Sequence, residues 1–212
     1  MAEFVEVEAN KRSRESRGLV QGVGVNDSWY MVAKRVKGKR VRCPYYIRWE
    51  GVLERGYSHI FKDAYPTYRD VTVCKEWHTF SVFRGWMEQQ DWVGKHLDKD
   101  IIKPGNKEYG PDTCCFVTGA HNNLLVDSAG RRGEYPKGVS LIRHTGRFKA
   151  THSSAEGSKY IGTYDTAEEA SEAYRGVKSE IVRKAAQEYA CPRVKAGLLS
   201  HARLILGGGI ND

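Results

Sequence analysis

Residues 138–181 constrain the fold more tightly than any other stretch. Three short runs, 138–144 (GVSLIRH), 147–151 (RFKAT) and 159–164 (KYIGTY), are separated by a Thr145-Gly146 turn and by a loop through Gly157, and they read as three strands. Asp165-Thr166 then opens a helix. Thr166 carries a good N-cap side chain, and Glu169 three residues on completes a capping box. Ala167, Ala170, Tyr174, Val177 and Ile181 form one apolar stripe with small residues at its start, which suits a helix lying close against a sheet. Residues 138–186 are therefore expected to form a small three-stranded antiparallel sheet packed on one helix.

A second constellation lies at residues 96–124 (HLDKDIIKPGNKEYGPDTCCFVTGAHNNL). Asp98 and Asp100 stand at one end, and alternation along a strand would put them on the same face. A Gly105-Asn106 loop follows, in which Asn106 is expected to act as a brace, then an apolar burst over Cys114, Cys115, Phe116 and Val117. The stretch closes on His121, Asn122 and Asn123. Carboxylates and carboxamides are the oxygen donors that hard divalent cations prefer, so Asp98, Asp100 and Asn122 are candidate ligands for Mg²⁺ or Mn²⁺, with Asn123 as the alternative to Asn122.

The preceding residues read as a scaffold. Residues 1–18 turn from acidic to basic without a period and are expected as a flexible basic tail. A strand-like basic segment turns at Lys37-Gly38-Lys39, Pro44 breaks it, and Ile47, Trp49, Val52 and Leu53 then share a helical face. Val71 and Val73 suggest a short strand. Trp77, Phe80, Phe83, Trp86 and Met87 recur at steps of three and four, as the core stripe of a helix does.

The net charge of +8 on 212 residues favours a polyanionic partner such as nucleic acid, and the partner expected for the chain as a whole is double-stranded DNA. With 40% hydrophobic and 28% charged residues, the composition is that of a folded chain. Five dispersed cysteines, no apolar signal-type segment and no run long enough to span a membrane lead to the expectation of a cytoplasmic protein with reduced thiols. Cys74 and His78 lie four apart, but no CxxC pair accompanies them to suggest structural zinc. No protein partner is indicated.

Two resemblances sharpen these expectations. Gly138-Val139, residues 146–150 (GRFKA), residues 160–170 (YIGTYDTAEEA) and Ala173-Tyr174 follow a frame that resembles the APETALA2-type DNA-binding domain. In that family the sheet enters the major groove. The resemblance implies base and phosphate contacts from Arg143, Arg147, Lys149 and Lys159, with Tyr160 as a further position; Arg131 and Arg132 in the preceding linker would follow the phosphate backbone. The clustering of positive residues on the strands, against Glu168, Glu169 and Glu172 on the helix, points the same way.

Leu97-Asp98-Lys99, residues 109–114 (YGPDTC) and Asn122, with Cys43-Pro44 and residues 73–77 (VCKEW) upstream, resemble the HNH, or ββα-metal, homing endonucleases of bacteriophages. The resemblance implies metal-assisted phosphodiester hydrolysis, with Asp98 and Asn122 holding the ion. Where that family usually has a histidine base after the metal aspartate, this chain has Lys99. A lysine of ordinary pKa is a poor base at neutral pH, so His96 and His121 are the candidate bases and Lys99 a candidate phosphate ligand. The alternative reading is a DNA-binding regulator derived from such a nuclease, its catalytic centre decayed.

The expected fold class is α+β: a mixed helical and strand N-terminal scaffold around a ββα-metal hairpin, then a small three-stranded antiparallel sheet packed on one helix. The expected division is a tail at 1–18, an HNH-like nuclease domain at 19–130, a linker at 131–137, an APETALA2-like domain at 138–186 and a C-terminal tail at 187–212.

Overall fold

The computed structural model describes residues 4–125, 134–154 and 157–209. The chain is mixed α and β, and it divides into two units, residues 1–117 and 118–212. The boundary falls thirteen residues before the 130/131 boundary expected from sequence. No helix among the described residues is long and apolar enough to cross a membrane.

In the first unit a short helix α1 (Lys11–Glu15) precedes an antiparallel hairpin of β1 (Ala33–Val36) and β2 (Lys39–Arg42). Residues 4–17 are not the free tail that their composition suggests. Ala9 is buried and its N–H bonds the Trp29 carbonyl. The Arg17 guanidinium donates to the carbonyls of Asn26, Ser28 and Tyr30. One planar fork satisfying three carbonyls pins the segment far better than its local sequence could.

Pro44 at the first position of α2 (Pro44–Tyr57) supplies the preset φ of a helix start. The helix buries Tyr46, Trp49, Val52, Leu53 and Gly56, while Ile47 stays 38% exposed. A helix α3 (His59–Ala64), a 3₁₀ turn at Pro66–Tyr68 and a two-residue strand β3 (Thr72–Val73) lead to a second 3₁₀ turn, Lys75–His78, and to α4 (Phe80–Glu88). The aromatic stripe is core, as its spacing predicts. Trp77, Phe80, Phe83 and Met87 are buried with Trp49 at their centre, whose Nε1 donates to the Trp77 carbonyl at 2.7 Å. Each fully buried side chain of this size stabilises the fold by roughly 1.5–3 kcal/mol. Gly56 lets α2 approach β3, since a Cβ there would stand 2.7 Å from Val73 Cγ2.

The unit ends with β4 (His96–Asp98), β5 (Glu108–Tyr109) and β6 (Cys115–Val117). β4 pairs antiparallel with β6, and β5 pairs parallel with β3.

The second unit opens with α5 (Gly119–Leu125). Its sheet is β7 (Val139–Ile142), β8 (Arg147–Ser154) and β9 (Gly157–Tyr164), antiparallel in that order. The capping box forms as read: Thr166 Oγ1 accepts from the Glu169 N–H, and the Glu169 carboxylate accepts from the Thr166 N–H, both at 3.2 Å. α6 (Ala167–Gln187) lays Ala170 and Tyr174 on the sheet, where Tyr174 stacks on His152. Gly138 is required at its turn. Its φ is +79°, and a Cβ would stand 2.3 Å from the Tyr174 ring.

The segment expected as a C-terminal tail is instead a helix, α7 (Pro192–Leu206), which buries Val194, Leu198, Ala202 and Ile205. It packs against α6, and Ser179 Oγ of α6 donates to the Ala202 carbonyl at 2.8 Å. The small residues Ser179, Ala185, Ala186, Gly197 and Ala202 let the two helices approach closely. α6 is therefore covered twice, by the sheet and by α7.

Candidate functional site

β4 ends at Asp98, and the chain turns sharply there. Asp98 Oδ1 accepts the backbone N–H groups of Asp100 and Ile101, each at 2.7 Å. An aspartate bonding the N–H two residues on makes an Asx turn, which stops the strand. Burial pushes the Asp98 carboxyl up from its ordinary range, opposed by those two N–H bonds. Because the strand has ended, alternation does not carry past Asp98. Asp100 sits in the bend and its carboxylate accepts from Lys99 Nζ at 2.6 Å.

Lys99 is buried, 7% exposed, and its ammonium also donates to the Asn106 carbonyl at 2.9 Å. Asn106 answers with Nδ2, which donates to the carbonyls of Lys99 at 2.9 Å and Glu108 at 2.6 Å. Lys99 and Asn106 thus close the 98–109 loop like a buckle, and the Lys99 ammonium is spent on that structure. His96, by contrast, is exposed on β4, opposite Val117.

Asn122 is half-buried on α5, and its N–H bonds the Thr118 carbonyl. Asp98 and Asn122 fall in different units. His121 has both ring nitrogens occupied: Nδ1 meets the Tyr189 hydroxyl at 2.8 Å, and Nε2 lies 3.4 Å from the Glu188 carboxylate. The same hydroxyl accepts from the Thr118 N–H at 3.2 Å, so Tyr189 ties the start of α5 to the chain just beyond α6. Nothing in the sequence near His121 announces partners some seventy residues away. Among the described residues no group of three or more His, Cys, Asp and Glu side chains is placed to hold a metal ion. The second carboxylate oxygen of Asp98 lies outside the Asx turn, and a carboxylate oxygen is a donor of the kind hard cations take.

On the sheet, register decides which side chains share a face. Lys149 lies opposite Ser140 and Thr163, and Arg147 opposite Ile142; Thr151 lies opposite Tyr160. This face points away from α6, because the intervening Ala150 and His152 are buried. Arg147, Lys149 and Tyr160 are exposed there, and the Tyr160 hydroxyl meets Thr163 Oγ1 at 2.9 Å. The Arg147 Nε donates to Asp165 at 2.7 Å, which aims its guanidinium across β9 and neutralises part of its charge.

Two expected members are placed elsewhere. Lys159 pairs with buried His152 and so belongs to the helix-side face; a register shift at Ala150/Thr151 exchanges its face with that of Tyr160. Arg143 is not on a strand but exposed in the β7–β8 turn. Arg131 and Arg132 lie outside the described residues. Sequence reading also missed Lys178, buried on α6, whose amine burial and neighbouring Lys137 push down to about 8.

Comparison with protein-family models, with curated proteins and with solved structures finds no match to this chain.

Proposed function

We propose that the protein is a sequence-directed DNA endonuclease, a hydrolase of the HNH homing type, whose C-terminal sheet selects the site and whose Asp98 strand cuts. The observation that carries this reading is the Asp98 carboxylate. It is held at a strand end against the desolvation that raises its pKa, although an asparagine oxygen would serve the Asx turn equally well. A carboxylate under such a desolvation cost is a candidate functional position. The antiparallel pairing of β4 with β6, which brackets Asp98, supports the same reading.

Asp98 would hold Mg²⁺ or Mn²⁺, which when bound supplies charge stabilisation to the phosphoryl and leaving oxygens. His96 is the residue with an accessible ring for taking a proton from water. Lys99 holds the loop that fixes Asp98. Arg147, Lys149 and Tyr160 present charge and one aromatic ring to the duplex, a surface of the kind that reads the major groove with strands.

The alternative, a DNA-binding regulator with a decayed centre, is favoured by Lys99 in the base position and by the occupied His121 ring. A nicking assay in Mg²⁺ or Mn²⁺, on plasmid carrying the DNA that flanks the gene, separates them. The endonuclease reading expects nicking by wild type and none by Asp98→Ala. If both bind alike and neither cuts, the regulator reading stands.

A further inference from the structure

A cleft of about 460 Å³ opens in the N-terminal unit where α2 faces β4. α2 lines it with Arg48, Glu54 and Arg55 around Gly51, spaced as one helical face. Arg42 at the end of β2 and His96 on β4 complete the wall. Arg42 is paired with Glu50 at 2.5 Å. Among the described residues the other two guanidinium groups donate to main-chain carbonyls: Arg55 Nη1 folds back on Gly51 at 2.9 Å, and Arg48 Nη2 reaches Lys95 at 3.4 Å.

The Nε atoms of Arg42 and Arg48 are buried and, among the described residues, have no hydrogen-bond partner. A buried donor left unpaired is costly, and a charged one more so. Arginine forks match phosphate oxygens in geometry and charge, so an oxyanion seated in the cleft would take the Nη donors of Arg48 and Arg55. His96 stands two residues before Asp98 on the same strand, roughly 7 Å along it.

We propose that this cleft binds a backbone phosphate of duplex DNA beside the one presented to Asp98, a second point of DNA attachment separate from the C-terminal sheet. The proposal rests on the nuclease reading for its partner. It assigns Arg48 and Arg55 the phosphate contact and Glu54 the role of a rim charge that limits affinity.

The test is fluorescence anisotropy of the full chain with a short fluorescein-labelled duplex of mixed sequence, without divalent cation, over a series of salt concentrations. Each phosphate neutralised contributes about 0.9 to the slope of log K against log salt. Arg48→Gln with Arg55→Gln is expected to lower the slope by about that amount and to weaken binding roughly tenfold at low salt. Glu54→Gln is expected to tighten binding several-fold, a gain that misfolding would not produce. Binding with an unchanged slope in the double variant and no gain in Glu54→Gln overturns the cleft and leaves the nuclease reading in place. Wild type that binds no duplex overturns both.

Discussion

Truncating Asn106 tests whether the 98–109 loop is a built support for Asp98. The side chain is 9% exposed and donates two hydrogen bonds, to Lys99 and Glu108, that alanine cannot make. Each bond is worth about 1 kcal/mol net, and a buried carbonyl left without its donor costs about 1 kcal/mol or more. The Glu108 carbonyl keeps the Thr113 hydroxyl at 2.7 Å, so the second cost falls mainly on the Lys99 carbonyl. Asn106→Ala should therefore cost about 3 kcal/mol. The assay is urea unfolding followed by tryptophan fluorescence. All five tryptophans, at positions 29, 49, 77, 86 and 92, lie in the first unit, so the signal reports that unit. With a slope near 2 kcal/mol/M, the midpoint should fall by about 1.5 M at constant slope. Asn106→Asp keeps the size but points a carboxylate at two carbonyls, and should cost at least as much at neutral pH. A loss below about 0.5 kcal/mol for alanine would refute the buckle, because it would mean that neither carbonyl depends on the side chain.

Asp98→Asn should abolish nicking yet make the first unit more stable at neutral pH, because the amide keeps the Asx turn without a buried charge. The folded carboxyl pKa lies above the unfolded one, so the native state holds the extra proton and wild-type stability falls as pH rises through that window. The gain should shrink as pH drops towards the ordinary carboxylate range, and a gain that persists undiminished there counts against the burial argument. Lys178 carries the opposite sign. Its folded pKa of about 8 lies below its unfolded value, so stability should rise between about pH 8 and 10.5 as the unfolded chain alone keeps the proton. Lys178→Met should remove that rise and add on the order of 2–3 kcal/mol at pH 7, read by thermal melts in far-UV circular dichroism. An unchanged pH slope would sink this account. Gly138→Ala combines a φ of +79° with a methyl 2.3 Å from Tyr174, and should cost roughly 2–5 kcal/mol in the same melts. A Tm within a degree or two of wild type would show that the turn can relax.

Local rules brought the reading close wherever a signal lies within a few residues. The capping box at Thr166 and Glu169, the turn at Lys37-Gly38, the three strands of the C-terminal sheet and the aromatic core around Trp77 and Phe83 all stand where periodicity and cap chemistry put them. α7 was within reach too. Pro192 at its first turn and Gly207 at its end are ordinary boundary residues, and Val194, Leu198, Ala202 and Ile205 repeat at helical steps.

Other features depend on distant groups, and no local rule holds them. Arg17 is fixed by carbonyls nine to thirteen residues on, and His121 by a tyrosine sixty-eight residues on. Lys159 leaves the expected face because a one-residue register shift inverts every later side chain on a strand, and the alternation it breaks is the only face signal in the sequence. Lys99 is the clearest case. Beside Asp98 in the sequence it reads as a residue for phosphate or for catalysis, and only the folded loop shows its ammonium closed on Asp100 and Asn106. By itself the sequence determined the capped helix α6, the strands before it and the aromatic core stripe, because those signals depend on neighbours along the chain. The tertiary structure alone decided which charges are buried, paired or left to meet a ligand, because burial and pairing are set by groups that meet only when the chain folds.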